Sequence, residues 1–393
     1  GYCTAVGTAV WTVRYAEFSN LGSGTTNKRG IDAQTTTGTI DFQNSSIHDC
    51  TVASSEGFDV SGGNLTNMTF SNNVGYNIHG PFFRTQTATG STTWTCSTNV
   101  CVRGASATGN GAFDFNDAQG TLSGLTSAGS NTHGIHFIRN AVITASSLTA
   151  HGNNGTGLRI SANPFTGFGS VFTTGKIWRN NSYGINLNID VLGVKFSGYD
   201  MFGNATNNVR TEAKIADITF QDSNFNGDTT FATTNGLLLI DRINANIRLL
   251  NCAFGVASGI LTTHTNDISL STAGYFSIVG VKLTLASATE ISGLANLSEG
   301  SKIQIQRFDA AGTHKTSVLY GTIATDTVIF RTASPSSRST PNSATKKLES
   351  GPFRAKVDSG STRNFTAYVR KSVSGDGATY NGAQPRLLLK TNP

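Results

Sequence analysis

One phrase comes round three times between Asn131 and Leu187 and limits what this chain can fold into. It reads Asn-Thr-His-Gly134-Ile-His-Phe137, then Asn-Gly-Thr-Gly157-Leu-Arg-Ile160, then Asn-Ser-Tyr-Gly184-Ile-Asn-Leu187. The three glycines lie 23 and 27 residues apart. A turn glycine followed by an apolar-polar-apolar triplet, repeated at that period, predicts a solenoid in which each turn of chain stacks on the last.

The pattern extends both ways. Gly30-Ile-Asp-Ala33, Gly57-Phe-Asp-Val60 and Gly75-Tyr-Asn-Ile78 precede the phrase, and Asn208-Val-Arg-Thr211, Leu237-Leu-Leu-Ile240 and Ile247-Arg-Leu-Leu250 follow it. Each is a short alternating strand entered through an Asn/Gly turn. Asn153-Asn154, Asn180-Asn181 and Asn207-Asn208 suit such turns, because Asn accepts a left-handed backbone and stacked Asn side chains can hydrogen-bond along a solenoid. No segment has a helical period. The span from Gly75 to Phe113-Asp-Phe115 is too long for one coil, which places an insertion at 81–99.

Past 273 the strands lengthen and ordinary hairpin turns such as Asp309-Ala-Ala-Gly312 take over. The expected organisation is therefore all-β: a solenoid over 1–272, a β-sandwich-like module over 273–333, a Ser/Pro/Thr linker over 334–345, and further strands over 346–393 that complete the sandwich or begin another module. Of the 393 residues only 13% are charged, about half the usual share. The regular spacing of Ile, Leu, Val and Phe excludes disorder. The charge of +6 is spread without a dense cluster, so there is no nucleic-acid footprint, and no apolar run approaches the roughly 18 residues of a membrane span. Strand-like sequence at both ends suggests a segment of a longer polypeptide.

Five cysteines stand at no metal-ligand spacing. Cys96 and Cys101 are spaced to close a small loop disulfide, while Cys50 and Cys252 read as small buried hydrophobes. His133 and His136 lack a third partner for zinc, and no metal or other cofactor is expected.

The middle residue of each triplet points away from the core, because strand side chains alternate. Read along the stack, that column is Asp32, Asp59, Asn77, Asp114, His136, Arg159, Asn186 and Arg210, acidic at one end and basic at the other. An outward strand face is polar in any case, so the column by itself names no ligand. Its densest ionisable set is Asp114 and Asp117 with His133, His136 and Arg139. Two carboxylates can divide acid and base or nucleophile roles in glycoside cleavage, which makes Asp114 and Asp117 the candidate catalytic pair. Trp94 and Trp178, with Tyr183 and Tyr199, are candidates for stacking on sugar rings.

The repeats over about residues 8 to 272 resemble the right-handed parallel β-helix, or pectin-lyase-like, superfamily. That fold is shared by polysaccharide lyases, glycoside hydrolases, phage tailspikes, adhesins and inert virion parts. The resemblance implies that a polysaccharide or host-surface glycan lies along the outward column. Glycosidases of this fold tend to show an adjacent Asp-Asp pair and a Gly-His-Gly; this sequence has no Asp-Asp, and its nearest phrase to the other is Ala150-His-Gly152. The run from Tyr368 to Leu388 is similar to β-rich modules of large virion proteins of marine phages. Together these resemblances favour a virion-associated or cell-surface structural protein, extracellular or on a particle, contacting other subunits and trimeric as tailspikes are. A polysaccharide depolymerase and a bacterial adhesin are the alternatives.

Overall fold

The computed structural model describes residues 1–283 apart from 9, 24, 26–28, 36–37, 62–66, 87–92, 106–109, 117–118, 139–141, 162–168, 189–190, 213–215, 229–236, 242–244, 256–265 and 272–274, and beyond them 291–292, 302–307, 322–326 and 336–340. The side chains of 35, 61, 86, 93, 94, 119, 142, 191, 192, 216, 245 and 246, and of every described residue past 271 except Ser292, lie outside the described set. The chain divides into two compact units, Gly1–Gly351 and Pro352–Pro393, and every described residue belongs to the first.

Among the described residues there is no helix, and nearly all strands belong to one parallel solenoid. A twelve-stranded parallel sheet runs its length: Cys3–Gly7, Ile31–Thr35, Phe58–Ser61, Phe83–Gln86, Gly111–Asn116, His133–Ile138, Leu158–Ser161, Tyr183–Leu187, Asn207–Thr211, Leu238–Ile240, Ile268–Leu270 and Ile291–Ser292. Paired residues are one coil apart, from 22 residues between Phe113 and Ile135 to 30 between Phe83 and Phe113. The rest of each coil forms a second set of parallel rungs, for example Asn67–Ser71 paired with Thr39–Gln43 and Thr93–Ser97.

Two corners recur at fixed places, each built on one left-handed residue. The first corner is Tyr15, Asn44, Asn72, Thr98, Gly124, Ser147, Thr174, Gly198, Asp222 and Asn251; the second includes Asn20, Asp49, Asn77, Arg103, Gly129, Gly152, Arg179 and Gly203. Asn, Asp and Gly predominate because they reach positive φ at the lowest cost. Behind the corners, buried Asn side chains form the expected ladders. Asn153 Nδ2 donates to Asn180 Oδ1 at 2.8 Å, and Asn180 Nδ2 donates to Asn204 Oδ1 at 2.8 Å. Near the N-terminus, the backbone N–H of Asn73 donates to Asn99 Oδ1 at 3.0 Å. An outer ladder links Asn181 to Asn154 and Asn154 to Asn131.

The bore is filled by apolar side chains stacked in register. Phe42 stacks on Phe70 at 5.5 Å, Phe172 on Phe196 at 4.8 Å, and Phe196 on Phe220 at 5.0 Å between ring centroids. Aromatic pairs of this kind add roughly 0.5–1.5 kcal/mol beyond the area they bury.

Three readings of the sequence are corrected. The proposed insertion at 81–99 carries regular rungs: Phe83–Gln86 pairs with Phe58–Ser61 and Gly111–Asn116, and Thr93–Ser97 pairs with Asn67–Ser71 and Gln119–Ser123. The triplet Phe83-Arg84-Thr85 escapes notice because its third, core-facing residue is polar. Thr85 is nonetheless satisfied there, accepting from the Asn116 N–H at 2.9 Å and donating to the Asn116 carbonyl.

The solenoid also continues past 272. Tyr275–Leu283 pairs in parallel with Ala245–Leu250 and Ala253–Phe254, and Lys302–Arg307 stacks on it in turn. A long strand there is one that runs through a corner, with its register shifting between Val279 and Val281, as Val191–Phe202 runs through Gly198. Thr322–Asp326 and Ser336–Thr340 then form an antiparallel pair, so a strand stands inside the stretch read as a linker. The readings of 346–393 fall outside the described residues.

Candidate functional site

The twelve-stranded sheet has a core-facing side of Phe, Ile and Leu and an outward side that is largely polar, with Ile138 and Leu239 as apolar members. Strand pairing makes the outward column Thr4, Asp32, Asp59, Arg84, Asp114, His136, Arg159, Asn186 and Arg210. Seven of the eight residues named from the sequence are in it. Asn77 is not: it lies on Val74–Ile78, in the other sheet, at a positive-φ corner, and its amide donates to Asp49 Oδ1 at 2.8 Å. Its place belongs to Arg84.

An outward polar column ordinarily sits in water. Here Asp114 is fully buried, and Asp32, Asp59, His136 and Asn186 are between 3% and 7% exposed. Desolvation on this scale demands compensation for every charge. On the acidic side it comes from arginine. Glu56 Oε1 accepts from Arg84 Nη1 at 2.8 Å and from Arg29 Nη1 at 3.2 Å. Burial works against the Arg84 charge, but Glu56, Asp114 and Asp59 outweigh it and raise its pKa. Burial, reinforced by the Glu56 charge and opposed by Arg84, pushes the Asp59 carboxyl up to about 8. Burial therefore favours the protonated form of Asp59.

Asp114 and His136 are direct partners in the ladder, and Asp114 Oδ1 lies 3.3 Å from His136 Nδ1. Arg84 Nε is 3.8 Å from Asp114 Oδ2. Neither carboxylate oxygen of Asp114 makes a hydrogen bond. On its other side the imidazole meets Ser161, with Nε2 and Oγ 2.5 Å apart. His133 sits edge-on to His136, its ring centroid 5.8 Å away. The Thr156 N–H donates to His133 Nδ1 at 3.1 Å, while Arg159 Nη1 stands 2.6 Å from Nε2. A neutral imidazole has one acceptor nitrogen, so one of these two donors faces an N–H. Burial, with Arg159 and His136 adding to it, lowers the His133 pKa to about 3 and keeps the ring neutral. Burial likewise lowers the pKa of Arg159, against the pull of Glu212.

At the far end Arg210 donates to Asp241 Oδ2 at 2.8 Å and to the Tyr183 hydroxyl, and its guanidinium lies over the Tyr183 ring. The arrangement combines two desolvated carboxyl groups, Asp59 and Asp114, an imidazole in contact with a hydroxyl, and guanidinium groups, all on one face. Among the described residues, no set of three His, Cys, Asp or Glu side chains is placed to hold a metal ion.

Of the other sequence candidates, Asp117, Arg139 and the Trp94 side chain fall outside the described residues. Trp178 is no open platform: His151 covers one face at 4.3 Å and Phe202 the other at 5.8 Å, both nearly parallel. Tyr199 is buried in the bore. Cys96 and Cys101 are free thiols, not a disulfide. Each is buried on a separate rung, Cys96 beside Phe70 and Leu122 and Cys101 beside Gly75 and Ser127. Cys50 and Cys252 are buried, as expected. Sequence reasoning missed Arg84, Glu56 and Ser161. Ser161 follows the apolar-Arg-apolar triplet by one position, and the period-two rule that selects Arg159 also selects Ser161 for the same face.

No protein-family model matches the sequence, and no curated protein sequence matches it. Among solved structures the chain is similar to the A-module of the mannuronan C-5 epimerase AlgE4 of Azotobacter vinelandii. The TM-score is 0.39 at 11% identity, over 74% of this chain and 91% of that one. The likeness extends to no individual residue.

Proposed function

We propose that the outward face of the twelve-stranded sheet binds a polysaccharide, and that the protein is a rigid glycan-engaging shaft on a virion or cell surface. One observation carries the first part. Both oxygens of Asp114, Asn186 Oδ1, Arg159 Nε and Arg84 Nε are buried without a hydrogen bond. Polar atoms so placed cost about 1–3 kcal/mol each unless a ligand or ordered water meets them. Sugar hydroxyls donate and accept equally well, which suits a column where carboxylate, guanidinium and amide alternate. Adjacent strands are ~4.8 Å apart, near the length of one sugar residue in an extended chain, so successive rungs offer successive subsites. The surface or virion placement, proposed together with subunit contacts and a homotrimer, is supported by the low charged fraction, 13%, and the Asn ladders of the solenoid.

A second reading, cleavage of the bound chain, is favoured by the burial of Asp59, which raises its pKa towards the protonated form. A carboxylic acid in that state can protonate a leaving oxygen, and Asp114 stands two rungs away, roughly 9–10 Å by strand spacing. A panel of neutral and uronate-containing polysaccharides, run in affinity electrophoresis and then assayed for reducing ends and unsaturated uronates, tests both. At least one polysaccharide should retard the protein, and Asn186→Ala should weaken that retardation roughly five- to tenfold, as the loss of one hydrogen bond of about 1 kcal/mol predicts. No retardation by any member overturns the glycan reading. New ends that vanish in Asp59→Asn establish cleavage.

A further inference from the structure

Three residues on adjacent rungs meet in an order that neither glycan binding nor carboxylate-driven cleavage uses. Asp114, His136 and Ser161 lie on Gly111–Asn116, His133–Ile138 and Leu158–Ser161, three neighbouring parallel strands. Asp114 pairs directly with His136, and Ser161 stands diagonally across the next pairing, opposite Ile138. The carboxylate approaches one ring nitrogen, Nδ1, at 3.3 Å, and the hydroxyl contacts the other, Nε2, at 2.5 Å. That division is the requirement for an activated nucleophile: a base within reach of the hydroxyl and a third group that orients the base. The carboxylate–imidazole distance is loose for a formed hydrogen bond, as is common in structures without substrate.

A serine that merely satisfied a buried histidine would not need the third member. Asp114 is fully buried with neither oxygen hydrogen-bonded, and its carboxyl group faces Arg84 Nε at 3.8 Å and His136 Nδ1 at 3.3 Å. That position, beside Nδ1, is where a group that orients the imidazole and faces the imidazolium must stand. Arg159, two residues before Ser161 on the same strand face, has its Nε buried without a partner, a donor left over for an oxyanion. The outward residues around the trio are Arg84, Asn116, Ile138, Arg159 and Asn186, with Ile138 the apolar neighbour directly opposite Ser161.

We infer that Ser161, His136 and Asp114 act as nucleophile, base and orienter, and that the protein removes ester-linked acyl groups from a glycan on this face. Ser161 Oγ attacks the acyl carbonyl and its proton passes to His136 Nε2. The bond from the carbonyl carbon to the sugar oxygen breaks, and that oxygen leaves with the proton from Nε2. Water then attacks the acyl-serine, giving a proton to Nε2, and collapse returns it to Oγ and frees the carboxylic acid. The identity of the leaving alcohol rests on the polysaccharide reading; the trio does not.

The full chain is incubated with p-nitrophenyl acetate, with an acetylated xylan, and separately with a fluorophosphonate followed by peptide mass spectrometry. Nitrophenolate release, acetate release and a single adduct on Ser161 are expected. Ser161→Ala, with an unchanged far-UV circular dichroism spectrum, should lose the adduct and at least roughly 10³-fold of the rate. No adduct and no nitrophenolate from the wild-type chain overturns the inference without recourse to any variant, as does an adduct on another residue. Nitrophenolate release with no acetate from xylan and no polysaccharide retardation keeps the trio and removes the glycan.

Discussion

At Asp59 the solenoid holds a proton that an unfolded chain would release near pH 3.8 and that the folded chain keeps to about pH 8. Between those values the folded state binds more protons than the unfolded one, so this residue's contribution to stability is complete below about pH 4 and is lost as pH rises towards 8. The urea midpoint of the wild type should therefore drop between about pH 5 and about pH 8 by more than that of Asp59→Asn, whose amide mimics the neutral carboxyl. Equal drops would place the cause elsewhere. The identity of this residue was legible in the sequence and its state was not. Alternation alone puts Asp32, Asp59, Asp114, His136, Arg159, Asn186 and Arg210 in one column. It cannot show that the column is buried, because burial depends on what lies over the face rather than on the strand. The misassignment of Asn77 has a local cause: Gly75-Tyr-Asn-Ile78 imitates the turn-and-triplet phrase, but its Asn supplies a left-handed corner. The Asp114–His136–Ser161 contact depends on a diagonal between rungs, which residue spacing within one strand cannot reveal.

At the scale of the rung, the stack works because small residues stand wherever a neighbour's ring crosses. Gly175 is such a point: a Cβ there would lie 2.2 Å from Tyr199 Cε1, in a strand whose partner residue is Tyr199 itself. Gly175→Ala should cost about 1–3 kcal/mol, the range for overpacking a filled core, read as a lowered denaturation midpoint with an unchanged slope. Tyr199→Leu in the same background should recover part of that loss. If Gly175→Ala is neutral, the ring is not held where the rung places it. Strand identity and the Asn ladders were readable here, since Asn153 and Asn180 recur at coil spacing. The rung at Phe83–Gln86 was not, because Thr85 breaks the apolar rhythm and is recovered only through its bonds to the Asn116 backbone.

For the whole molecule, the thiols report on cooperativity. Cys50 and Cys252 are buried at separate heights in the stack and Cys96 and Cys101 on two strands of one coil between them, and burial raises the pKa of each. Only Cys3, on the first strand, is half-buried. A thiol reagent at neutral pH should modify Cys3 within minutes and the other four only as the stack opens. If the stack opens as one body the four react together, and if it frays coil by coil Cys252 and Cys50 react before Cys96 and Cys101. Rapid modification of all five in the native protein would contradict the packing.

The two corners marked by a single left-handed residue do not vary in length, whereas the stretch that leaves each rung of the twelve-stranded sheet does: it is short between Asn116 and Gln119 and long between Ser161 and Val171. For a lineage this confines editing to one margin. Codons gained or lost between Ser161 and Val171 leave every stacked ring and ladder in register, while one codon added between Asn72 and Asn73 turns a core residue outward. Heritable novelty can thus accumulate beside the column without unravelling the solenoid that carries it.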